Sequence, residues 1–412
     1  MIVLSVDRVR RTVLPEDPIA RALTWATMSG SLSKGVFFSV SALFFTRVAG
    51  LSPAEVGFGL TVAGAIAVGA SLGAGYLAGM VGARRLLLAA TVGQGLALLG
   101  YVAVRTPVAF VAVACAAVGQ QAVQRTALNT MIAQSFTGPD RVEVRARLRV
   151  VTNSFIGLGA GLAAIALAID TRPAYLAAMV ATAALLFVSA LSVRRVAVPG
   201  PAGPPPAGHG RRSPLRDRTY LAATALYAVM TMQFSMLTVG VPLWVAGWTT
   251  APAVTVAGLL ALNTVIVSLL QVWAARGAHE LPAAGRAVAR AGALLALACG
   301  LYAVTDAGSA AVVVAVLTLA IVAHSLAEVL SEAGNWTLAF ELADPGNAAA
   351  YQGVSQTGAA LGSMLGPLVV TATAIRHGWA GWALLGAIFL AAGLATLGLA
   401  RAVTMRARPD ME

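Results

Sequence analysis

The sequence predicts an all-α membrane protein, with twelve transmembrane helices arranged as two pseudo-symmetric six-helix bundles. Three observations carry this. The chain is 58% hydrophobic and 11% charged, with a mean hydropathy of +0.82, whereas a soluble domain runs at about 45–50% apolar and about 25% charged. Its apolar runs are about 20 residues long without strict alternation. In lipid no backbone group can go without a partner, so that pattern selects helices over a barrel. Finally, a basic, Pro/Gly-rich stretch at 194–219 lies near the midpoint of the 412 residues and cannot bury a core. It divides the chain into an N-terminal bundle (1–193), a cytoplasmic linker (194–219) and a C-terminal bundle (220–412), which suggests two bundles that move against each other.

The spans fall at 22–46, 56–78, 86–104, 107–133, 149–169 and 174–193, then 220–244, 254–275, 288–304, 309–333, 353–374 and 379–400. Charge orients them. Of the 28 Lys and Arg residues, 22 lie in the termini, in the loops after spans 2, 4, 6, 8 and 10 or, for Arg149 and Arg290, in the first turn of the span that follows such a loop. Arg47, Arg105, Arg172 and Arg376 occupy the other loops, and Lys34 and Arg125 lie inside spans. By the positive-inside rule both termini are cytoplasmic. The loop Glu341–Ala350 is the exception, with no basic residue. No signal-peptide apolar region precedes the first span. The net charge of +12 is spread over alternate loops rather than one face, so it marks orientation and not nucleic-acid binding. Cys115 and Cys299 sit in apolar segments of different halves and read as small core residues.

A weak internal repeat has an offset near 200 residues: Leu51-Ser-Pro53 with Thr250-Ala-Pro252, and Asn153…Gly157-Leu-Gly-Ala-Gly161 with Gln356-Thr-Gly358…Gly362. Duplicated transporter halves give such a pattern. The glycines of spans 5 and 11 (Gly157, Gly159, Gly161, Gly358, Gly362) are expected to let helices slide, and Asn153 and Gln356 to serve helix contacts.

The segment Gly75-Tyr-Leu-Ala-Gly-Met-Val-Gly82-Ala-Arg84-Arg85, between spans 2 and 3, resembles the G-x-L-a-D-r-x-G-r-[RK] loop of the major facilitator superfamily. Gly75, Leu77, Ala78, Gly82 and Arg84 match; Gly79 replaces the motif's Asp and Met80 its first Arg. Gly119-Gln-Gln-Ala122 in span 4 resembles the family loosely, with Cys115 near the place of its usual Arg. Gly358-x3-Gly362-x3-Gly366-Pro367 in span 11 resembles a G-x3-G-P antiporter motif normally found in span 5. The resemblance is to a bacterial, drug-efflux-like type with degenerate motifs. It implies a V-shaped pair of six-helix bundles exposing a central cavity to alternate sides. Helices 1, 4, 7 and 10 would line the cavity, and 3, 6, 9 and 12 would support it. The missing Asp implies an inner latch that is weakened or rebuilt.

Ionisable residues inside a bilayer are costly and need a partner, water or a ligand. Lys34, Arg125, Glu328 and Glu332 fall in spans 1, 4 and 10, three of the four helices the resemblance assigns to the cavity. Lys34, the only Lys in the chain, lies midway between Arg21 and Arg47, roughly 20 Å from each and too deep to snorkel comfortably. It is expected to contact an anionic substrate group or to exchange a proton, the alternative being a structural ion pair. Its repeat counterpart is Gln233. His324, Glu328 and Glu332 follow at i, i+4 and i+8 on one helix face, with Ser331 and Asn335 nearby, as a proton relay or gate needs. Glu332 could instead cap the helix end. Arg125 and Glu328 reach similar depth, so Arg125 is expected to close the cytoplasmic side with Glu328 or Glu332, or else to pair within its own half. Asn263, Tyr227 and Trp336 are weaker substrate candidates.

No P-loop, metal-ligand spacing, nucleophile elbow or dinucleotide fingerprint is present, so the expectation is no enzyme and no cofactor. The function expected is secondary transport of a small organic molecule, proton-coupled efflux before all, by a monomer in a bacterial inner (plasma) membrane. Uptake by symport or facilitated diffusion is the alternative; a non-transporting sensor on the same fold is a reading from another class.

Overall fold

The computed structural model describes residues 15–194, 212–252 and 254–407; most of the 194–219 linker lies outside them. Among the described residues there are helices and turns but no strand. We number the helices α1 (Pro18–Leu43), α2 (Pro53–Val81), α3 (Ala83–Ala103), α4 (Pro107–Ser135), α5 (Pro139–Ile169) and α6 (Arg172–Arg194). The second series is α7 (Arg218–Trp248, interrupted near its middle), α8 (Val254–Gly277), α9 (Leu281–Ala303), α10 (Ala310–Glu341), α11 (Ala348–Val370) and α12 (Arg376–Ala407).

Local chemistry sets the helix starts. Asp17 accepts from the Ala20 N–H at 2.7 Å and begins α1. Ser52 and Glu55 form a reciprocal capping box on α2, while Thr106 and Asp217 cap α4 and α7. Each satisfies amides that have no partner within the helix. In the repeat-related loop before α8, Thr250 donates to the Gly308 carbonyl at 3.1 Å.

Two helices outrun their apolar segments. The spans expected at 149–169 and 309–333 are helical from Pro139 and to Glu341. Hydropathy marks only the length in hydrocarbon, whereas helix continues wherever its sides are packed. In α5, Val142, Ala146 and Leu148 are buried between charged neighbours.

Eleven stretches of the described residues are long and apolar enough to cross a membrane. The last, Pro345–Arg406, runs 62 residues, about three bilayer cores if continuous. It is not continuous: Gly378 has φ 57° and ψ −132°, a conformation that only glycine adopts without strain. Gly381 then packs against the Thr373 carbonyl, a contact that eight residues of straight helix would forbid. The chain reverses here, giving two arms.

The chain forms two compact units. Among the described residues one holds 15–137, 147–194 and 344–357; the other holds 138–146, 212–343 and 358–407. The units therefore exchange short segments relative to the two halves of the sequence: the first turns of α5 pack with the second, and the first turns of α11 with the first.

In the first unit, Ser33 donates to the Thr182 carbonyl and Ser189 to the Ala26 carbonyl, both at 2.8 Å, tying α1 to α6. Gly35 and Gly159 bring α1 and α5 into backbone contact, and Gly75 and Gly353 do the same for α2 and α11. In the second unit Gly358 and Gly362 lie against Thr224 and Ala228 of α7. The expectation of sliding glycines needs correction at Gly157 and Gly161, where an added Cβ would meet nothing within 4 Å. At the turn between α5 and α6, Arg47 makes two contacts to Asp170 at 2.9 and 3.0 Å, and the Tyr175 hydroxyl donates to Asp170 at 2.6 Å.

Gly35→Ala should destabilise the protein by about 1–3 kcal/mol, because the added methyl meets backbone that cannot move aside. Gly157→Ala should be tolerated, and thermal unfolding of the two variants in detergent makes the comparison. Asp170 gives a pH dependence. The Tyr175 hydrogen bond, and after it Arg47, hold its carboxyl below the ordinary range. The stabilisation is therefore complete above the unfolded-state pKa and is lost as pH falls through the folded one. Tyr175→Phe should flatten the acid limb of a stability–pH profile, and an unchanged limb would remove Asp170 as its source.

Candidate substrate and coupling sites

The first site is a cavity of about 170 Å³ inside the first unit, into which Lys34 opens. α1 supplies Lys34, Phe37 and Ser41, spaced i, i+3 and i+7 so that they share one face, and the π-helical turn Phe44–Val48 that follows it supplies Phe45. α3 adds Gln94 and Tyr101, and α4 adds Gln121. Ring centroids of Phe45 and Tyr101 lie 4.8 Å apart, and those of Phe37 and Tyr101 5.8 Å, the range in which aromatic pairs attract. Lys34 is half-buried.

An amide relay stands behind the cavity. Gln124 donates from Nε2 to the Ala90 carbonyl at 3.1 Å and to Gln94 Oε1 at 2.6 Å. A carbonyl can only accept, so it fixes the orientation of Gln124 and through it that of Gln94. Gln94 is left with its Nε2 as the donor end. Gln94, Gln124 and the ring cluster are not among the sequence candidates; the signal available was the helical spacing of Phe37 and Phe45 from Lys34.

The second site lies inside the second unit. His324, Glu328 and Glu332 are 0%, 3% and 4% exposed, so the polar face of α10 is turned into protein throughout its length. Asn263 of α8 donates from Nδ2 to Glu328 Oε2 and to Ser325 Oγ, each at 3.0 Å. Asn263, read from sequence as a substrate contact, is thereby engaged with the carboxylate. His324 Nδ1 faces the Tyr302 hydroxyl of α9 at 3.5 Å, a long contact. The ring also lies beside the Gln233 backbone and within electrostatic reach of Glu328. Gln233 is fully buried, and among the described residues neither end of its amide makes a hydrogen bond; nor does His324 Nε2. Asn335 donates back to Ser331, and Arg145 of α5 lies over the Trp336 ring at 5.3 Å.

Arg125 is partly buried in α4 of the first unit, with Thr126 donating to the Ser71 carbonyl beside it. Tyr227 is partly buried in α7. The Gly75–Arg85 motif is mostly helix, broken only at Gly82 (φ 89°). Arg84 donates to the Arg194 carbonyl at the end of α6 at 3.4 Å, a favourable place for a cation. Where the motif lacks its Asp, a Cβ added at Gly79 would lie 3.8 Å from the Ala349 side chain of α11. The second unit carries an ion pair from Arg276 of α8 to Glu143 of α5 at 2.8 Å.

A sequence profile of the Major Facilitator Superfamily matches residues 23–367. The chain belongs to this superfamily. A search of curated sequences finds no match, but solved structures share the fold. The human organic anion transporter MFSD10 (TETRAN) superposes with a TM-score of 0.72 at 17% identity, covering 94% of this chain and 99% of the other. The proton:xylose symporter XylE does so at 0.69 and 13%, covering 92% and 94%. A bacterial homologue of the iron transporter ferroportin, in its outward-facing state, gives 0.70 and 13%, covering 92% and 98%. As a member of the superfamily, the chain is a multi-pass membrane transporter of a small-molecule substrate.

Removing Asn263 takes a donor from a buried carboxylate. Asn263→Ala should lower stability by about 1–3 kcal/mol, measured by thermal unfolding in detergent. Adding Glu328→Gln should recover part of that loss.

Proposed function

We propose that this chain is a proton-coupled secondary transporter that exports a small organic molecule by alternating access. The observation that supports it most is the face of α10: two carboxyl groups and an imidazole at i, i+4 and i+8, each at most 4% exposed. Titratable groups are expensive to bury, and a face of three fits proton exchange better than packing, which apolar residues would serve at less cost. Glu328 is the proton-exchanging carboxyl, Asn263 positions it, His324 passes the proton, and Glu332 lies at the next turn. Lys34 contacts substrate in the first unit, and Gln233 and Tyr227 are the corresponding substrate contacts proposed for the second. Gating roles fall to Arg125 in the first unit and to Glu328 or Glu332 in the second. The 194–219 linker joins two bundles that rock against each other, with Gly75, Gly82, Arg84 and Arg85 shaping the turn between α2 and α3.

Counting both arms around Gly378 gives twelve passes. The distribution of Arg supports cytoplasmic termini, and the Ala/Gly/Arg-rich, Lys-poor composition a bacterial inner membrane, with the protein acting as a monomer. The glycine–proline pattern of α11 favours export by antiport over uptake.

Proteoliposome flux under an imposed pH gradient tests the reading. Glu328→Gln should abolish gradient-driven accumulation while leaving substrate exchange between the two sides. Full gradient-driven transport by this variant would exclude Glu328 from coupling.

A further inference from the structure

We infer that a groove on the first unit holds one acyl chain of an anionic phospholipid, with the headgroup at Arg172. This site is independent of the transport reading and of the Lys34 cavity. The groove lies between α1, α5 and α6 and holds about 570 Å³, within the roughly 300–1,000 Å³ of ligand sites. Leu32 and Val36 of α1 and Leu162, Ile165 and Ile169 of α5 flank it. α6 lines it from Ala174 to Val188, at positions whose spacing puts them on one face. At about 1.5 Å per residue that face runs roughly 21 Å. One leaflet contributes about 15 Å to a hydrocarbon core, so an acyl chain can lie along the groove for its full length.

The lining and its charged end select the occupant. Every lining side chain is Ala, Val, Leu or Ile, so the groove gives water no side chain to bond and suits hydrocarbon. Ala177, Ala181 and Ala184 are exposed along it, so in a bilayer it opens to lipid and a chain can enter from the side. Where Gly35 meets Gly159, small residues bring two backbones together. Here the helices stay apart, and a void in hydrocarbon forfeits dispersion contacts that a mobile chain restores. A chain that leaves bulk lipid for this groove escapes no water, so packing holds the chain and the headgroup decides which lipid stays. Arg172 is exposed at one end, between the lining residues Ile169 and Ala174 in sequence. Arg47 at the same turn is paired with Asp170, and among the described residues Arg172 makes no ion pair or hydrogen bond. A guanidinium at the end of an apolar groove complements a headgroup of net negative charge, and its planar fork suits phosphate.

The test is native mass spectrometry of the full-length protein, delipidated in detergent and titrated with phosphatidylglycerol or phosphatidylcholine of equal chain length. Phosphatidylglycerol should bind about fivefold more tightly, the effect of one basic side chain near an anionic headgroup. Arg172→Gln should bring the two lipids level. Ala181→Phe, which fills the groove at an exposed position, should weaken both lipids by about tenfold. Ala164→Phe, also exposed but outside the groove, should weaken neither. If thermal unfolding shows that Ala181→Phe does not fold, Ala177→Phe serves in its place. Equal binding of the two lipids by the wild type would overturn the headgroup assignment. Equal losses in Ala181→Phe and Ala164→Phe, or no loss in either, would overturn the groove. A wild-type dimer that Ala181→Phe dissociates would give this face to a second copy of the chain instead.

Discussion

Hydrocarbon cannot hydrogen-bond, and much of this structure follows from where that leaves its polar atoms. A charged or amide side chain at membrane depth must be turned into the protein, and once there it needs partners with the right donor and acceptor character. Glu328 lies against Asn263, Gln94 against Gln124, and Ser33 and Ser189 against carbonyls of neighbouring helices. Each such pair fixes the rotation of one helix against the next. The polar residues therefore set which face of each helix is internal.

The internal repeat shows how one scaffold supplies two different sites. Lys34 and Gln233, Phe45 and Trp244, and Tyr101 and Tyr302 are separated by 199 to 201 residues. In the first unit, Phe45 and Tyr101 wall a cavity around the ammonium of Lys34. In the second, Tyr302 lies tilted against Trp382, with centroids 5.1 Å apart, and turns its hydroxyl to His324. The corresponding polar position is a neutral amide beside an imidazole rather than a cation. A duplicated frame has become a charged, ring-lined cavity on one side and a titratable, amide-bordered cluster on the other.

Packing between helices depends on glycine where backbones meet. Gly35 with Gly159, and Gly75 with Gly353, place carbonyls where a side chain would otherwise be. In membranes this close approach replaces the hydrophobic effect as the source of helix association. The loop motif has lost the acid that the family resemblance leads one to expect, and Gly79 at that position lies against Ala349. Elsewhere Arg276 with Glu143, and Arg145 over Trp336, supply charged contacts between helices that are far apart in sequence.

The helical membrane class, the placement of most spans and the buried face of α10 were legible in the sequence, because they follow from hydropathy and from a spacing of four. Both quantities are local, and the cost of placing charge in lipid makes them decisive. Span ends were less legible: α5 and α10 extend past their apolar segments because packing, which no hydropathy window sees, continues the helix. The reversal at Gly378 depends on one backbone conformation. What only the tertiary structure decided was the company each polar residue keeps. Asn263 was open between substrate and core until α8 brought it to Glu328, and Gln94 and Gln124 carried no signal until α3 and α4 packed together. Sequence determines which residues must be inside, since that depends on transfer from water to lipid. Which of them meet depends on helix rotation and on contacts between residues more than 60 positions apart in the case of Asn263 and Glu328, and those are properties of the packed bundle alone.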